Sequence, residues 1–252
     1  MTRILLCGCN GKMGQVITRL VSENPAVEIV AGVDPFGGIK NTYPVYPSPL
    51  NISEKIDVII DFSNPASFDG LLDFASRNKL PIVISTTGHS PEQKARAEEC
   101  GKMIPIFMSG NMSIGVNLVM SLIAQTARTL EGLFDVEIIE KHHNRKIDAP
   151  SGTALMLANS VNDALETKCD YVYERETKRE KRSKTEIGIH SVRGGTIVGE
   201  HSVIFAGTDE IIEIKHSAMS REIFAVGAIK AAQFMKGRPS GFYTMKDVVN
   251  LK

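Results

Sequence analysis

Arg3-Ile4-Leu5-Leu6-Cys7-Gly8-Cys9-Asn10-Gly11-Lys12-Met13-Gly14 is the stretch that decides the fold. An apolar run of strand composition passes through three closely spaced glycines into Met13, Val16, Ile17, Leu20 and Val21, which form one helical stripe. Glycines at such a turn let backbone N–H groups approach a pyrophosphate at the start of the helix. The spacing is GxxGxxG rather than GxGxxG, and a glycine-rich turn can be purely structural, so context decides. A second apolar run ends at Asp34, 20 residues after Gly14, where a carboxylate would meet an adenosine ribose. Dinucleotide binding is the expected role. Pro35 follows Asp34, and no Arg or Lys occurs before Lys40. A ribose 2′-phosphate would face a carboxylate without an adjacent cation, so NADH is expected to be preferred over NADPH.

Further apolar runs lie at 27–33, 58–62, 82–85 and 104–108, with a helical stripe of Phe68, Leu71, Leu72 and Ala75 between two of them. Asn64-Pro65 and Ser90-Pro91-Glu92 signal helix starts. Short strands alternating with helices predict βαβ units and a mostly parallel sheet, and runs apolar throughout fit strands covered on both faces. After Asn111 the pattern changes. A long apolar helix over 116–130, a strand over 136–140 and a helix over 153–165 precede strand-like runs at 185–192, 196–205 and 210–216. Arg193-Gly194-Gly195 and Gly207-Thr208-Asp209 read as hairpin turns between them, which predicts a meander of antiparallel strands. A final helix over 222–236 carries Phe224, Ala228, Ala231 and Ala232 at helical spacing. The expected fold is α/β, with a Rossmann-type domain over 1–113 and 222–252 and an α+β domain over 114–221 whose sheet is mostly antiparallel.

The 252 residues carry 29 Lys+Arg and 29 Asp+Glu, which leaves no global field to hold nucleic acid or an acidic membrane. No apolar run reaches the ~20 residues of a bilayer span, and the start runs directly into a strand without a signal region, so a cytoplasmic location is expected. Cys7, Cys9, Cys100 and Cys169 are too few and too scattered for a disulfide framework, and Cys7 with Cys9 has neither redox nor zinc-knuckle spacing. No metal is expected. The mixed-charge stretch 174–184 reads as a solvated loop.

The most informative constellation is Glu140-Lys141-His142-His143-Asn144-Arg145-Lys146-Ile147-Asp148-Ala149-Pro150-Ser151-Gly152-Thr153. Ser151, Gly152 and Thr153 open a predicted helix and would offer N–H groups and hydroxyls to an anion. Lys146 and the two histidines add positive charge at the same place, which suits a small carboxylate-bearing substrate. A histidine or a neighbouring lysine there could donate a proton. Ser85-Thr86-Thr87-Gly88 and Ser109-Gly110-Asn111-Met112 sit where strands end, and serve equally well as plain turns or as cofactor contacts.

The string from His142 through Thr153 to Ala154 closely resembles the signature of the dihydrodipicolinate reductases. The likeness spans nearly the whole chain. It takes in the glycine turn, the Thr86-Thr87-Gly88 turn, Asn111-Met112-Ser113-Ile114-Gly115-Val116-Asn117, Gly199-Glu200-His201 and His216-Ser217-Ala218-Met219-Ser220-Arg221. The resemblance implies NAD(P)H-dependent reduction of 4-hydroxy-tetrahydrodipicolinate to tetrahydrodipicolinate, in the diaminopimelate route to lysine. It implies His142 as proton donor–acceptor, Lys146 as second proton donor, and His143, Ser151, Gly152 and Thr153 around the substrate's carboxylates. Gly8, Cys9, Asn10, Gly11, Lys12, Met13, Asp34, Ser85, Thr86, Thr87, Ser109, Gly110, Asn111 and Met112 would line the cofactor. It further implies a Rossmann domain completed by the C-terminal helix, and a second domain whose sheet assembles a homotetramer. Ser85 departs from the glycine usual before the TTG turn, and 174–184 lacks the glycines common in that loop.

Overall fold

Strand β1 (Thr2–Cys7) alternates its side chains between two apolar layers, and the first unit is built around that alternation. The computed structural model describes residues 1–249. After β1 come α1 (Lys12–Ser22), β2 (Val27–Val33), β3 (Val45–Tyr46), β4 (Val58–Asp61), α2 (Phe68–Arg77), β5 (Ile82–Ile84), α3 (Pro91–Cys100) and β6 (Pro105–Met108). Then follow α4 (Ile114–Leu130), β7 (Asp135–His142), α5 (Gly152–Ala164), β8 (Asp170–Val172), β9 (Glu186–Arg193), β10 (Gly199–Ala206) and β11 (Ile211–Ala218). The described chain ends with α6 (Glu222–Met235), β12 (Gly241–Tyr243) and α7 (Met245–Val249). Two units result, one of residues 1–114 with 222–252, the other of residues 115–221.

In the first unit seven parallel strands lie in the order β12-β6-β5-β4-β1-β2-β3. Ile4, Leu6, Val58, Ile60, Val83 and Phe107 point to one face, where Ile17 and Val21 of α1 and Ala228, Ala231 and Ala232 of α6 cover them. Leu5, Ile59, Ile82, Ile84 and Ile106 point to the other, under Phe68, Leu72 and Ala75 of α2 and Ala97 of α3. Each large apolar side chain so buried contributes about 1.5–3 kcal/mol. The expected strands, helices and completion by the C-terminal helix are all present. The turn at Asn64-Pro65 first makes a short 3-10 turn before α2, whereas Ser90 opens α3 directly in a capping box with Gln93. Strands β3, β8 and β12, of two or three residues, carried no readable alternation.

The second unit departs from the expected meander. Its five strands lie in the order β11-β10-β7-β9-β8. β7 pairs antiparallel with β10 but parallel with β9, so it lies between the two strands that Arg193-Gly194-Gly195 was expected to join as a hairpin. That turn spends its backbone groups on β7 instead: Gly194 N–H donates to the His142 carbonyl at 2.9 Å, and Asn144 N–H to the Gly195 carbonyl at 3.2 Å. The sheet is mixed, antiparallel on one side of β7 and parallel on the other. The Gly207 turn does close a hairpin, with Gly207 N–H on the Glu210 carbonyl at 2.9 Å. One face of this sheet, through Val136, Ile138, Ile187, Ile189, Val203 and Phe205, packs against Val116, Val119, Met120 and Ile123 of α4 and Leu157, Ala158 and Val161 of α5. No described helix is long and apolar enough to cross a membrane.

The charged stretch 174–184 is anchored rather than wholly solvated. Arg175 and Arg182 reach Glu137 of β7 at 2.9 and 3.0 Å, and Arg175 also reaches Glu186 of β9 at 2.6 Å. Glu137 passes directly over Gly188, where a Cβ would lie 1.7 Å from its Oε2, so any larger residue there would displace the Glu137 carboxylate.

Candidate active site

At the end of β1 the glycines do what a dinucleotide turn needs. Gly8 has φ of +76°, and a Cβ there would stand 2.5 Å from the Phe62 carbonyl oxygen. Gly14 lies inside α1, and its Cβ would stand 2.2 Å from the Gly8 oxygen and 2.5 Å from that of Cys9, so the helix can start this close to β1 only with glycine. Gly11 is the N-cap of α1. Having no side chain, it leaves the helix's first N–H groups, at Lys12 and Met13, for an anionic ligand. Cys9 is buried inward beneath the turn, and its thiol is pushed up to about 11 by burial and then by the charge of Asp34.

Asp34 is nearly buried at the end of β2 and ties the turn together. Its Oδ2 accepts from Asn10 N–H at 2.9 Å and its Oδ1 from Phe36 N–H at 3.0 Å. Each oxygen keeps a further lone pair for a ribose hydroxyl. Asn10 adds bridges to the Phe36 carbonyl and Asn41. Ser85, Thr86 and Thr87 follow β5, beside the buried Asp61 at the end of β4, and burial raises that carboxyl's pKa. Neither Ser85 Oγ nor Asp61 Oδ2 has a hydrogen-bond partner among the described residues. Ser109, Gly110, Asn111 and Met112 follow β6, where Ser109 Oγ donates to the Asn111 carbonyl at 2.9 Å. All these turns lie at the carboxyl ends of parallel strands, where an open α/β sheet binds its ligand.

The histidine constellation sits at one end of the second unit's sheet. The two-residue period of β7 places Glu140 and His142 on the same, helix-facing side as Val136 and Ile138. Parallel register puts Arg193 of β9 beside His142, and antiparallel register puts His201 of β10 beside Glu140. The expected strand ended at residue 140; β7 runs on to His142, its last residue.

Glu140 is fully buried. Its Oε1 accepts from Arg193 Nη2 at 2.7 Å and from Ser151 N–H at 3.1 Å; its Oε2 meets Arg193 Nη1 at 2.8 Å and His142 Nδ1 at 2.6 Å. Burial would raise its pKa, but the hydrogen bonds from Arg193, His142 and Ser191 prevail and bring it down to about 2. The other ring nitrogen of His142, Nε2, borders Gly199, where a Cβ would stand 3.1 Å away. The His201 ring meets that of His142 edge to face, with centroids 5.1 Å apart. Burial and then the neighbouring His142 lower the pKa of His201 to about 4, so it is neutral at pH 7.

Ser151 is placed differently from its expected role. It is 2% exposed, its N–H is taken by Glu140, and its Oγ accepts from Ala154 N–H at 3.1 Å and bonds His201 Nε2 at 2.9 Å. It caps α5 and braces the site, which leaves the anion-facing positions of the helix start to Gly152 and Thr153. His143 follows β7 with no hydrogen-bond partner for Nδ1 among the described residues, its pKa lowered by desolvation and then by Arg145 and Arg221. Lys146 holds both carboxylate oxygens of Asp148, at 2.7 and 2.8 Å. Glu140, Asp148, Arg193 and His201 are site residues to which the sequence assigned no role. Glu140 and Arg193 are separated by 53 positions, and no spacing rule links them. Among the described residues no cluster of His, Cys, Asp and Glu could hold a metal ion.

Two family models match this chain: "Dihydrodipicolinate reductase, N-terminus" over residues 2–112 and "Dihydrodipicolinate reductase, C-terminus" over 115–249. A 4-hydroxy-tetrahydrodipicolinate reductase of Caldanaerobacter subterraneus is 54% identical, with 99% of this chain and 98% of the relative covered. The enzyme of that name from Clostridium tetani is 51% identical over the same shares. Among solved structures, a dipicolinate-bound dihydrodipicolinate reductase from Paenisporosarcina sp. TG-14 superposes with a TM-score of 0.83 at 26% identity, covering all of both chains. With both halves matched and the relatives aligned end to end, the chain belongs to the dihydrodipicolinate reductase family.

Proposed function

We propose that this protein reduces 4-hydroxy-tetrahydrodipicolinate to tetrahydrodipicolinate with NADH or NADPH, in the diaminopimelate route of lysine biosynthesis. The observation that carries the reading is the end of the mixed sheet. There a histidine, its Nδ1 held by a buried carboxylate, stands beside a cationic loop and the positive end of a helix. Such a place suits a small dicarboxylate that must receive a proton.

The first unit holds the dinucleotide through Gly8 to Met13, Asp34, and the turns at Ser85, Thr86 and Thr87 and at Ser109, Gly110, Asn111 and Met112. The second unit binds substrate and assembles the oligomer. When bound, the nicotinamide supplies the hydride. His142 handles the proton, and Lys146 adds a second donor and a fixed positive charge. His143, Gly152 and Thr153 bind the substrate's carboxylates, orienting the ring. The protein's part is orientation and charge compensation.

A steady-state assay with freshly generated pathway intermediate tests the reading through the loss of reduced-nicotinamide absorbance. Turnover is expected with both cofactors, with the lower KM for NADH, because Asp34 offers a 2′-phosphate only repulsion. No oxidation of either cofactor would reject the activity; equal KM values would reject the preference alone.

The oligomer is a homotetramer in the cytoplasm. The sheet face opposite α4 and α5 carries the half-buried Ile139 and Ile204 between the Glu137–Arg182 and Glu200–Lys215 ion pairs. Apolar side chains rimmed by charge suit packing against a second copy. Light scattering should give four times the 27.5 kDa chain mass, and a monomer at micromolar concentration would count against this assembly.

A further inference from the structure

We infer that Glu140 and Arg193 are positioning residues that hold His142 in a single tautomer, with the proton on Nδ1 and with Nε2 as the atom that exchanges protons with the ligand. The inference rests on the proposed role of His142 and deepens it. An ionised carboxylate has no proton to give, so a ring nitrogen 2.6 Å from Glu140 Oε2 must be the donor. Glu140 is held ionised because it collects four N–H contacts, two of them from the planar fork of Arg193. Without Arg193 a fully buried carboxylate would take up a proton and could itself donate to Nδ1, which would reverse the tautomer.

Arg193 also reaches past Glu140. Its Nη2 donates to the Asp148 carbonyl at 2.7 Å and its Nη1 to that of Val192 at 2.8 Å. One guanidinium thus fastens both the strand that carries His142 and the loop that carries Lys146. The charged and titratable groups facing this centre are Glu140 on β7, Arg193 on β9, His201 on β10 with His216 behind it on β11, and His143 and Lys146 on the loop. Of these, only Glu140 places a negative charge against the His142 ring. His201 is neutral and already committed to Ser151.

Nitrogen-15 NMR of histidine-labelled protein tests the tautomer without using activity, with the His142 signals assigned by their loss in His142→Gln. In the wild-type protein, with the pH raised until the imidazolium is deprotonated, His142 should show a protonated Nδ1 and an unprotonated Nε2; the opposite pattern overturns the inference. Glu140→Gln keeps the size of the side chain and removes its charge. It should lower kcat about 10–100-fold, the scale on which partners that orient a functional histidine act. The alkaline limb of its kcat–pH profile should move to lower pH, since the imidazolium loses its counter-charge. Arg193→Lys keeps the charge but loses the fork, and should show the same changes in smaller degree. An unmoved pH limb in either folded variant would leave the pair as a purely structural brace and overturn the proposal. If the wild-type protein failed to oxidise reduced nicotinamide with the substrate, the functional reading would fall, while the tautomer measurement would still decide the geometry.

Discussion

His142→Gln is expected to lower kcat by about 10²–10⁴-fold, the contribution of a positioned general acid or base, with little change in KM. Glutamine keeps an N–H that can donate to Glu140, so the variant does not strand a buried carboxylate and should fold. What it lacks is a ring nitrogen that can accept and return a proton. Because His142 ends β7 against Gly199, its replacement takes away the proposed proton-transfer atom and leaves the loop that carries Lys146 in place. Comparing kcat and KM in steady state checks this, with a thermal melt to establish folding. A folded variant at wild-type turnover would remove His142 from the reaction.

Lys146→Ala should damage both constants. The ammonium is paired with Asp148 on an exposed loop, where such a pair contributes at most about 1 kcal/mol to stability, so the fold should tolerate its loss. Its larger effect lies with the ligand. A charged hydrogen bond to a substrate carboxylate is worth roughly 1.5–3 kcal/mol, so KM should rise about tenfold or more. The loss of a second proton donor should lower kcat as well. Lys146→Arg separates the two effects, since it restores the charge but hardly gives up its proton: KM should recover while kcat stays low. Recovery of both would reduce Lys146 to a binding group. The contrast with His142→Gln, which should leave KM nearly unchanged, distinguishes the residue that handles the proton from the one that also holds the substrate.

The sequence by itself determined the first unit almost completely. Its central strands are largely apolar, α1 and α2 carry clear stripes, and the glycine turn stands next to the strand it serves, so these signals lie within a few residues of the elements they specify. The steric demand at Gly14 comes from the backbone of Gly8 and Cys9 in the same turn and was legible for the same reason; that at Gly8 comes from the Phe62 backbone, which only the pairing of β1 with β4 brings near. The string from His142 to Thr153, for which proton transfer and carboxylate binding are proposed, was legible as a unit because it is contiguous.

Only the tertiary structure decided which strands lie side by side in the second unit, and with that the surroundings of His142. Arg193-Gly194-Gly195 has the composition of a hairpin turn, yet β7 takes the place between β9 and β10, because strand pairing is settled by burial of whole faces rather than by the residues of a turn. That insertion carries Arg193 and His201 to Glu140 and ties Ser151 into the α5 cap and to His201. A fully buried glutamate reads in sequence like any surface charge. Its meaning comes from the arginine that neutralises it 53 residues away, and from the low-dielectric place in which the two are brought together.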